Sequence, residues 1–105
     1  MSQAVIIVGL GFGDEGKGGS VDFYTRALNA STVVRFNGGS QAGHTVELPD
    51  GTRHVFNQFG AGTFAGAGTY LSKYMLINPT SMYFEATALQ KLGVSNVLDC
   101  MTVSP

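Results

Sequence analysis

One stretch near the N-terminus limits this chain more than any other: Gly11-Phe12-Gly13-Asp14-Glu15-Gly16-Lys17-Gly18. It follows a short apolar, β-branched run, Ala4 to Val8, which is expected as a strand, and it precedes Ser20 to Leu28, expected as a helix. A strand, a glycine loop and a helix start in that order make a phosphate site. Glycines let the backbone turn tightly beside an anion, and the first amides of the helix point toward it. Gly11, Gly16 and Lys17 satisfy G-x-x-x-x-G-K, but Gly18 stands where that pattern carries a Ser or Thr whose hydroxyl holds magnesium. A metal there needs another ligand, and Asp14 is the nearest candidate. An acid inside a phosphate cradle is repulsive unless a cation or a proton-transfer task offsets it.

Two other readings of the same residues stand beside this one. Gly11, Gly13 and Gly16 also fit the dinucleotide fingerprint G-x-G-x-x-G. That pattern wants an acid at the end of the second strand, whereas Val33-Val34-Arg35-Phe36-Asn37 has none, and Arg35 suits only an NADP phosphate. The plainest alternative is a tight strand-to-helix turn with no ligand, which leaves Asp14, Glu15 and Lys17 without a purpose.

The rest of the chain supports a small globular α/β unit. Its 105 residues are 44% hydrophobic and 12% charged, with a net charge of −1, so one modest core is expected and disorder is not. So little charge offers no footprint for nucleic acid or an anionic membrane. No apolar run has the length of a transmembrane helix, and the N-terminus lacks the pattern of an export signal. The single Cys100 excludes an intrachain disulfide and fits a reducing compartment, so a cytoplasmic location is expected.

Val21, Tyr24 and Leu28, with Ala27, fall on one face of the first helix, with Asp22 and Arg26 paired toward solvent. Thr32 to Phe36 is a second strand, so strand, helix and strand form a βαβ unit and a parallel sheet. A second polar glycine cluster follows, Asn37-Gly38-Gly39-Ser40-Gln41-Ala42-Gly43-His44-Thr45. Loops after neighbouring parallel strands open onto one crevice, which brings His44 and Gln41 toward Asp14 and Lys17. His54 lacks such a setting and reads as a strand surface residue. Asp50-Gly51 between two β-like runs signals a hairpin. The glycines from Gly60 to Gly68 fit a mobile loop or close backbone packing, the loop being preferred. Tyr74 to Ile77 reads as a strand. Asn78 then caps a helix that has Pro79 at its first position and Met82, Ala86, Leu89 and Leu92 as its apolar stripe, with Gly93 as its stop. A last strand begins at Val97 and Leu98. The fold class is α/β of P-loop type: a mainly parallel sheet with flanking helices plus a β-hairpin. Residues 1–105 are expected to form the N-terminal part of one nucleotide-binding α/β domain, an extent that the family resemblance given next implies.

Taken together, the two loops resemble a known family. Gly13-Asp14-Glu15-Gly16-Lys17-Gly18, then Val33-Val34-Arg35-Phe36-Asn37-Gly38-Gly39, Ala42-Gly43-His44-Thr45 and Leu76-Ile77-Asn78-Pro79 are similar, in order and spacing, to the start of adenylosuccinate synthetases. The resemblance covers nearly the whole chain but only the N-terminal part of that family's length. It implies a GTP- and magnesium-dependent ligase joining aspartate to the 6-position of inosine monophosphate (IMP), and a homodimer for the full-length protein. It implies that Asp14 is the base that takes the N1 proton and that His44 is the acid supporting charge at the 6-oxygen. Asp14 and the Gly43 carbonyl would be magnesium ligands. Gly13, Asp14, Glu15, Gly16, Lys17, Gly18 and Gly19, with Gly43, His44 and Thr45, would hold GTP and metal. Asp14 to Lys17 and Gln41 to His44, Ala42 among them, would border the purine nucleotide.

The sequence also departs from the family. Gly19 stands for a usual Lys and Gln41 for a usual Asn. Asn57-Gln58-Phe59-Gly60-Ala61-Gly62 lacks the family's usual His and Pro-Ser-Gly run, and Leu71-Ser72-Lys73-Tyr74 replaces a usual Ile-Gly-Asn-Gly. The exact purine acceptor is left open by these changes: IMP, another 6-oxopurine nucleotide, or a nucleotide bound without catalysis. The 105-residue chain by itself is expected to be inactive as a ligase.

Overall fold

The computed structural model describes residues 3–11, 16–39 and 43–104. Helix α1 spans Lys17–Ala27, strand β1 Thr32–Arg35, β2 His44–Glu47, β3 Arg53–Phe56, β4 Gly68–Leu71, helix α2 Pro79–Lys91 and strand β5 Met101–Val103. β1, β4 and β5 form a parallel sheet in the order β1-β4-β5, and β2 and β3 form a separate antiparallel hairpin. The mainly parallel α/β class with a hairpin is therefore present, but its βαβ unit is β4-α2-β5 rather than the N-terminal one.

The difference begins at Ala4 to Val8, which no described strand pairs; residues 3–10 carry no secondary structure. Ile6 is 87% and Leu10 94% exposed. An apolar run gains a strand conformation from its ladder partners and cover rather than from intrinsic propensity, and among the described residues no strand pairs with it. β1 pairs with β4 on one side only.

The hairpin turns as its sequence demands. Gly51 takes φ +93°, the Leu48 amide donates to the Thr52 carbonyl at 2.7 Å, and Asp50 Oδ1 accepts from the Thr52 amide at 2.9 Å. α2 begins and ends on its expected residues. Asn78 Oδ1 accepts from the Ser81 amide at 3.1 Å, with Pro79 in the first turn. At the other end Gly93 has φ +97°, its amide donates to Gln90 O at 3.1 Å, and the Val94 amide donates to Leu89 O at 3.0 Å. Those two bonds make a Schellman stop.

The core joins hairpin, α2 and the glycine segment: Val46, Phe56, Phe59, Ala61, Ala86, Leu89 and Val97, with Val21, Phe64, Met82 and Met101 against them. Leu92 of the expected stripe is exposed, and Glu85 is buried in its stead. α1 also turns differently from expectation. Tyr24 and Leu28 are exposed, and its buried residues are Gly18 and Thr25. Small residues on that face let the helix approach the hairpin closely. The Asp22–Arg26 pair forms on the helix surface at 3.1 Å.

Gly60 to Gly68 is close backbone packing and not the mobile loop preferred from sequence. A Cβ on Gly60 would stand 2.9 Å from Val33 Cβ, and one on Gly62 would stand 2.7 Å from both Thr25 Oγ1 and Val33 Cγ2. The Gly60 amide donates to Thr69 Oγ1 at 2.9 Å, and a 3₁₀ turn at Thr63–Ala65 leads into β4. The strand lies at Gly68–Leu71, ahead of the expected Tyr74 to Ile77, where the chain turns and makes one isolated parallel bridge, Gly38 to Met75. At the end, Leu98–Cys100 is a 3₁₀ turn and β5 starts at Met101. Among the described residues no helix is long and apolar enough to cross a membrane.

Candidate nucleotide site

The first turn of α1 is built onto the start of β2. Gly18 is buried, and a Cβ there would stand 2.5 Å from the Thr45 carbonyl oxygen and 2.9 Å from the His44 carbonyl carbon. Such distances are closed to any side chain, so the hydroxyl that a standard P-loop places after its Lys has no room. The backbone of the second glycine cluster occupies that space. The contact brings the start of α1 onto the His44–Thr45 backbone through helix-on-hairpin packing rather than through the adjacent parallel strands expected, and it explains the missing Ser or Thr. Gly19, one residue on, is exposed, and a Cβ there meets nothing within 4 Å. Its departure from the family's Lys has no steric cause.

Lys17 is the first residue of α1, whose amide-rich end carries partial positive charge. Gly16 precedes it at φ +80°, a left-handed conformation that glycine adopts freely. His44 opens β2, opposite Phe56, and is half-buried. Burial holds its imidazole below the ordinary value of 6.5, and the positive charges of Arg35 and then Lys17 add to the effect. Gly43 is exposed, with Val55 Cγ1 and Asn57 Nδ2 lying 2.7 and 3.6 Å from where its Cβ would be.

Arg35 is buried and faces inward. Its Nη1 donates to Asn57 O at 2.7 Å and to Phe59 O at 3.5 Å. Burial pulls the guanidinium below its usual value, and the Glu85 carboxylate opposes that shift. An arginine committed to backbone carbonyls does not offer itself to a dinucleotide phosphate, which removes the support for the NADP reading.

His54 is half-buried rather than a surface residue. Its Nε2 lies 3.0 Å from Glu85 Oε2, and its ring meets Phe56 edge-on at a centroid distance of 4.6 Å. Sequence reasoning passed over this pair. The available signal was an acid at position 85 on the same helical face as Met82, Ala86 and Leu89.

Gly13, Asp14, Glu15, Gln41 and Ala42 lie outside the described residues. Among the described residues no group of three or more His, Cys, Asp or Glu side chains is placed to hold a metal ion. Of the two magnesium ligands the resemblance implies, Gly43 has an exposed backbone and Asp14 lies outside the described residues.

Comparison with known proteins follows this geometry. A family model described as adenylosuccinate synthetase matches residues 6–105. The adenylosuccinate synthetase of Lactobacillus acidophilus is 39% identical over 92 residues, covering 87% of this chain and 21% of that protein. That of Natronomonas pharaonis is 38% identical over 93 residues, covering 89% and 20%. The structure of fully ligated adenylosuccinate synthetase from Plasmodium falciparum superposes with a TM-score of 0.73 at 27% identity, over 87% of this chain and 20% of that one. The chain spans about a fifth of the length of the curated relatives it matches. With nearly all of its length accounted for by one family model and the two loops docked on each other, the chain belongs to the adenylosuccinate synthetase family.

Proposed function

We propose that this chain carries the phosphate-binding and bond-forming part of a GTP-dependent ligase that joins aspartate to IMP, forming adenylosuccinate in purine nucleotide synthesis. Asp14 removes the proton from purine N1, which makes the 6-oxygen nucleophilic toward the γ-phosphate of GTP. His44 donates toward the 6-oxygen and the transferred phosphoryl group, where negative charge gathers. The amine of aspartate then displaces phosphate from C6. Lys17 and the Gly13–Gly18 backbone hold the GTP phosphates. Gly19 and Thr45 border that cradle, and Glu15, Gln41 and Ala42 face the purine nucleotide. Bound magnesium, held by Asp14 and the Gly43 carbonyl, would neutralise phosphate charge. The working protein is a cytoplasmic homodimer, with neither nucleic acid nor membrane among its partners.

The observation that supports this most is the contact of Gly18 with Thr45 and His44. That contact sets the backbone of His44 and Thr45 on the first turn of α1, and the Lys17 charge is felt at the His44 imidazole, which supports a joint role for the two loops. A second reading keeps this chemistry and changes the acceptor to another 6-oxopurine nucleotide, because Gly19 and Gln41 stand for the Lys and Asn usual in the family. The test is a chimera in which residues 6–105 replace the matching segment of the Lactobacillus acidophilus synthetase. Aspartate- and IMP-dependent phosphate release from labelled GTP supports the reading. Binding without turnover identifies a non-catalytic nucleotide module, and turnover with guanosine monophosphate in place of IMP identifies the second acceptor.

A further inference from the structure

Glu85 occupies a position where α2 otherwise presents apolar side chains to the core. Its Oε1 accepts from the Gln58 amide at 2.7 Å and the Phe59 amide at 3.3 Å. Its Oε2 accepts from the Asn57 amide at 3.1 Å and lies 3.0 Å from His54 Nε2. Three consecutive amides converging on one carboxylate form an anion nest inside the protein. Burying a carboxylate is costly unless such charge-assisted bonds compensate, so a hydrophobic residue would serve the packing of α2 alone equally well.

The nest fixes what lies on the other side of the 57–59 turn. With its amides drawn to Glu85, the turn directs the Asn57 and Phe59 carbonyls to Arg35 Nη1. Asn57 Nδ2 lies beside Gly43, and the neighbouring Phe56 is the register partner of His44. Gln58 ties the same turn to the start of α2, accepting from the Asn78 amide at 3.2 Å through Oε1. The turn therefore stands between Glu85 and the Gly43–His44 backbone.

We propose that Glu85 is a positioning residue of the nucleotide site: it sets the 57–59 turn, whose carbonyls Arg35 ties from the other side, so that Asn57 beside Gly43 and Phe56 opposite His44 hold the His44–Thr45 backbone against Gly18 in the first turn of α1. The meaning of that site rests on the ligase reading above, whereas the positioning itself does not. The experiment compares Glu85→Gln, which loses the charge and one acceptor, with Leu89→Ala, which weakens the same helix without removing any hydrogen bond of the turn. Two quantities are read in the 105-residue chain: the amide resonances of Gly43, His44 and Thr45, and the affinity for magnesium pyrophosphate. Glu85→Gln is expected to move those resonances and to weaken pyrophosphate binding about 10- to 100-fold, as loss of an outer-shell partner does. Leu89→Ala leaves the resonances in place and the affinity within about twofold under conditions where it is folded. Where Glu85→Gln does not fold, Glu85→Asp, which keeps the charge and shortens the reach, supplies the same comparison. Unmoved resonances in the Glu85 variant, or equal changes in both variants, would overturn the proposal and leave Glu85 a structural tie. Failure of the unsubstituted chain to bind pyrophosphate would count against the phosphate-site reading only, and the resonances would still decide the positioning role.

Discussion

Gly18 in the first turn of α1 lies directly on the carbonyl of Thr45, with 2.5 Å between that oxygen and the place where a side chain would begin. The helix that opens the phosphate loop and the strand that carries His44 are joined at this point. Substituting Gly18 by Ala forces the two apart, because backbone on both sides cannot rotate away. Urea unfolding is expected to show Gly18→Ala destabilised by about 1–3 kcal/mol, in the range of overpacking changes. Pyrophosphate affinity should fall with it. Unchanged stability would show that the contact is looser than described.

Gly19 gives the opposite expectation. It is an exposed helical glycine with open space around its Cβ position. Gly19→Lys adds a better helix former, worth roughly 0.5 kcal/mol, and places a cation near the phosphate end of α1. The variant should be at least as stable as the parent and should bind magnesium pyrophosphate more tightly, measured by calorimetry. Weaker binding would place the anion elsewhere.

His44 titrates below the ordinary value of 6.5 because it is buried and faces the charges of Arg35 and Lys17. The folded state therefore prefers the neutral imidazole. The stability this contributes is fully present above pH 6.5 and is lost as the pH falls through the lower folded value. An NMR titration of the imidazole in the metal-free chain should give a midpoint below 6.5, and Arg35→Met should raise it. A midpoint above 6.5 would contradict the electrostatic setting. In the chimera, His44→Asn should lower turnover ~10²–10⁴-fold with little change in GTP affinity. A loss confined to KM would make His44 a binding residue.

Asp14 carries the base assignment. In the same chimera, Asp14→Asn should keep nucleotide binding and lower turnover ~10²–10⁴-fold or more, the loss of a general base at the reacting proton. Single-turnover and binding assays separate the two effects. Near-normal turnover would remove Asp14 from the chemistry.

Much of this was legible in the sequence where a residue acts locally. Asn78, Pro79 and Gly93 fixed the ends of α2, and Asp50-Gly51 fixed the hairpin, because caps and tight turns depend on a few neighbouring dihedrals. The nearness of the two glycine loops was anticipated, but through adjacent parallel strands, whereas it is the Gly18 face of α1 packing on the antiparallel hairpin that brings it about. What escaped depends on partners distant in sequence. Ala4 to Val8 has strand composition, yet no described strand pairs it. The glycines from Gly60 to Gly68 look mobile until Val33 and Thr25 are seen to press on Gly60 and Gly62. Glu85 and His54 look like ordinary surface residues until the 57–59 amides close around the carboxylate, since a nest of backbone donors leaves no composition signal.

The most direct test of the central claim, that the docked loops activate a purine 6-oxygen toward phosphate, follows the oxygen atom itself. Supply the chimera with GTP, aspartate and IMP labelled with ¹⁸O at the 6-position, and analyse the released phosphate by mass spectrometry. If the 6-oxygen attacks the γ-phosphate and the aspartate amine then displaces that phosphate from C6 with cleavage of the C6–O bond, each phosphate released carries one ¹⁸O, and Asp14→Asn abolishes that labelled product. Release of unlabelled phosphate, or labelled phosphate that persists at the parent rate in Asp14→Asn, would contradict the account.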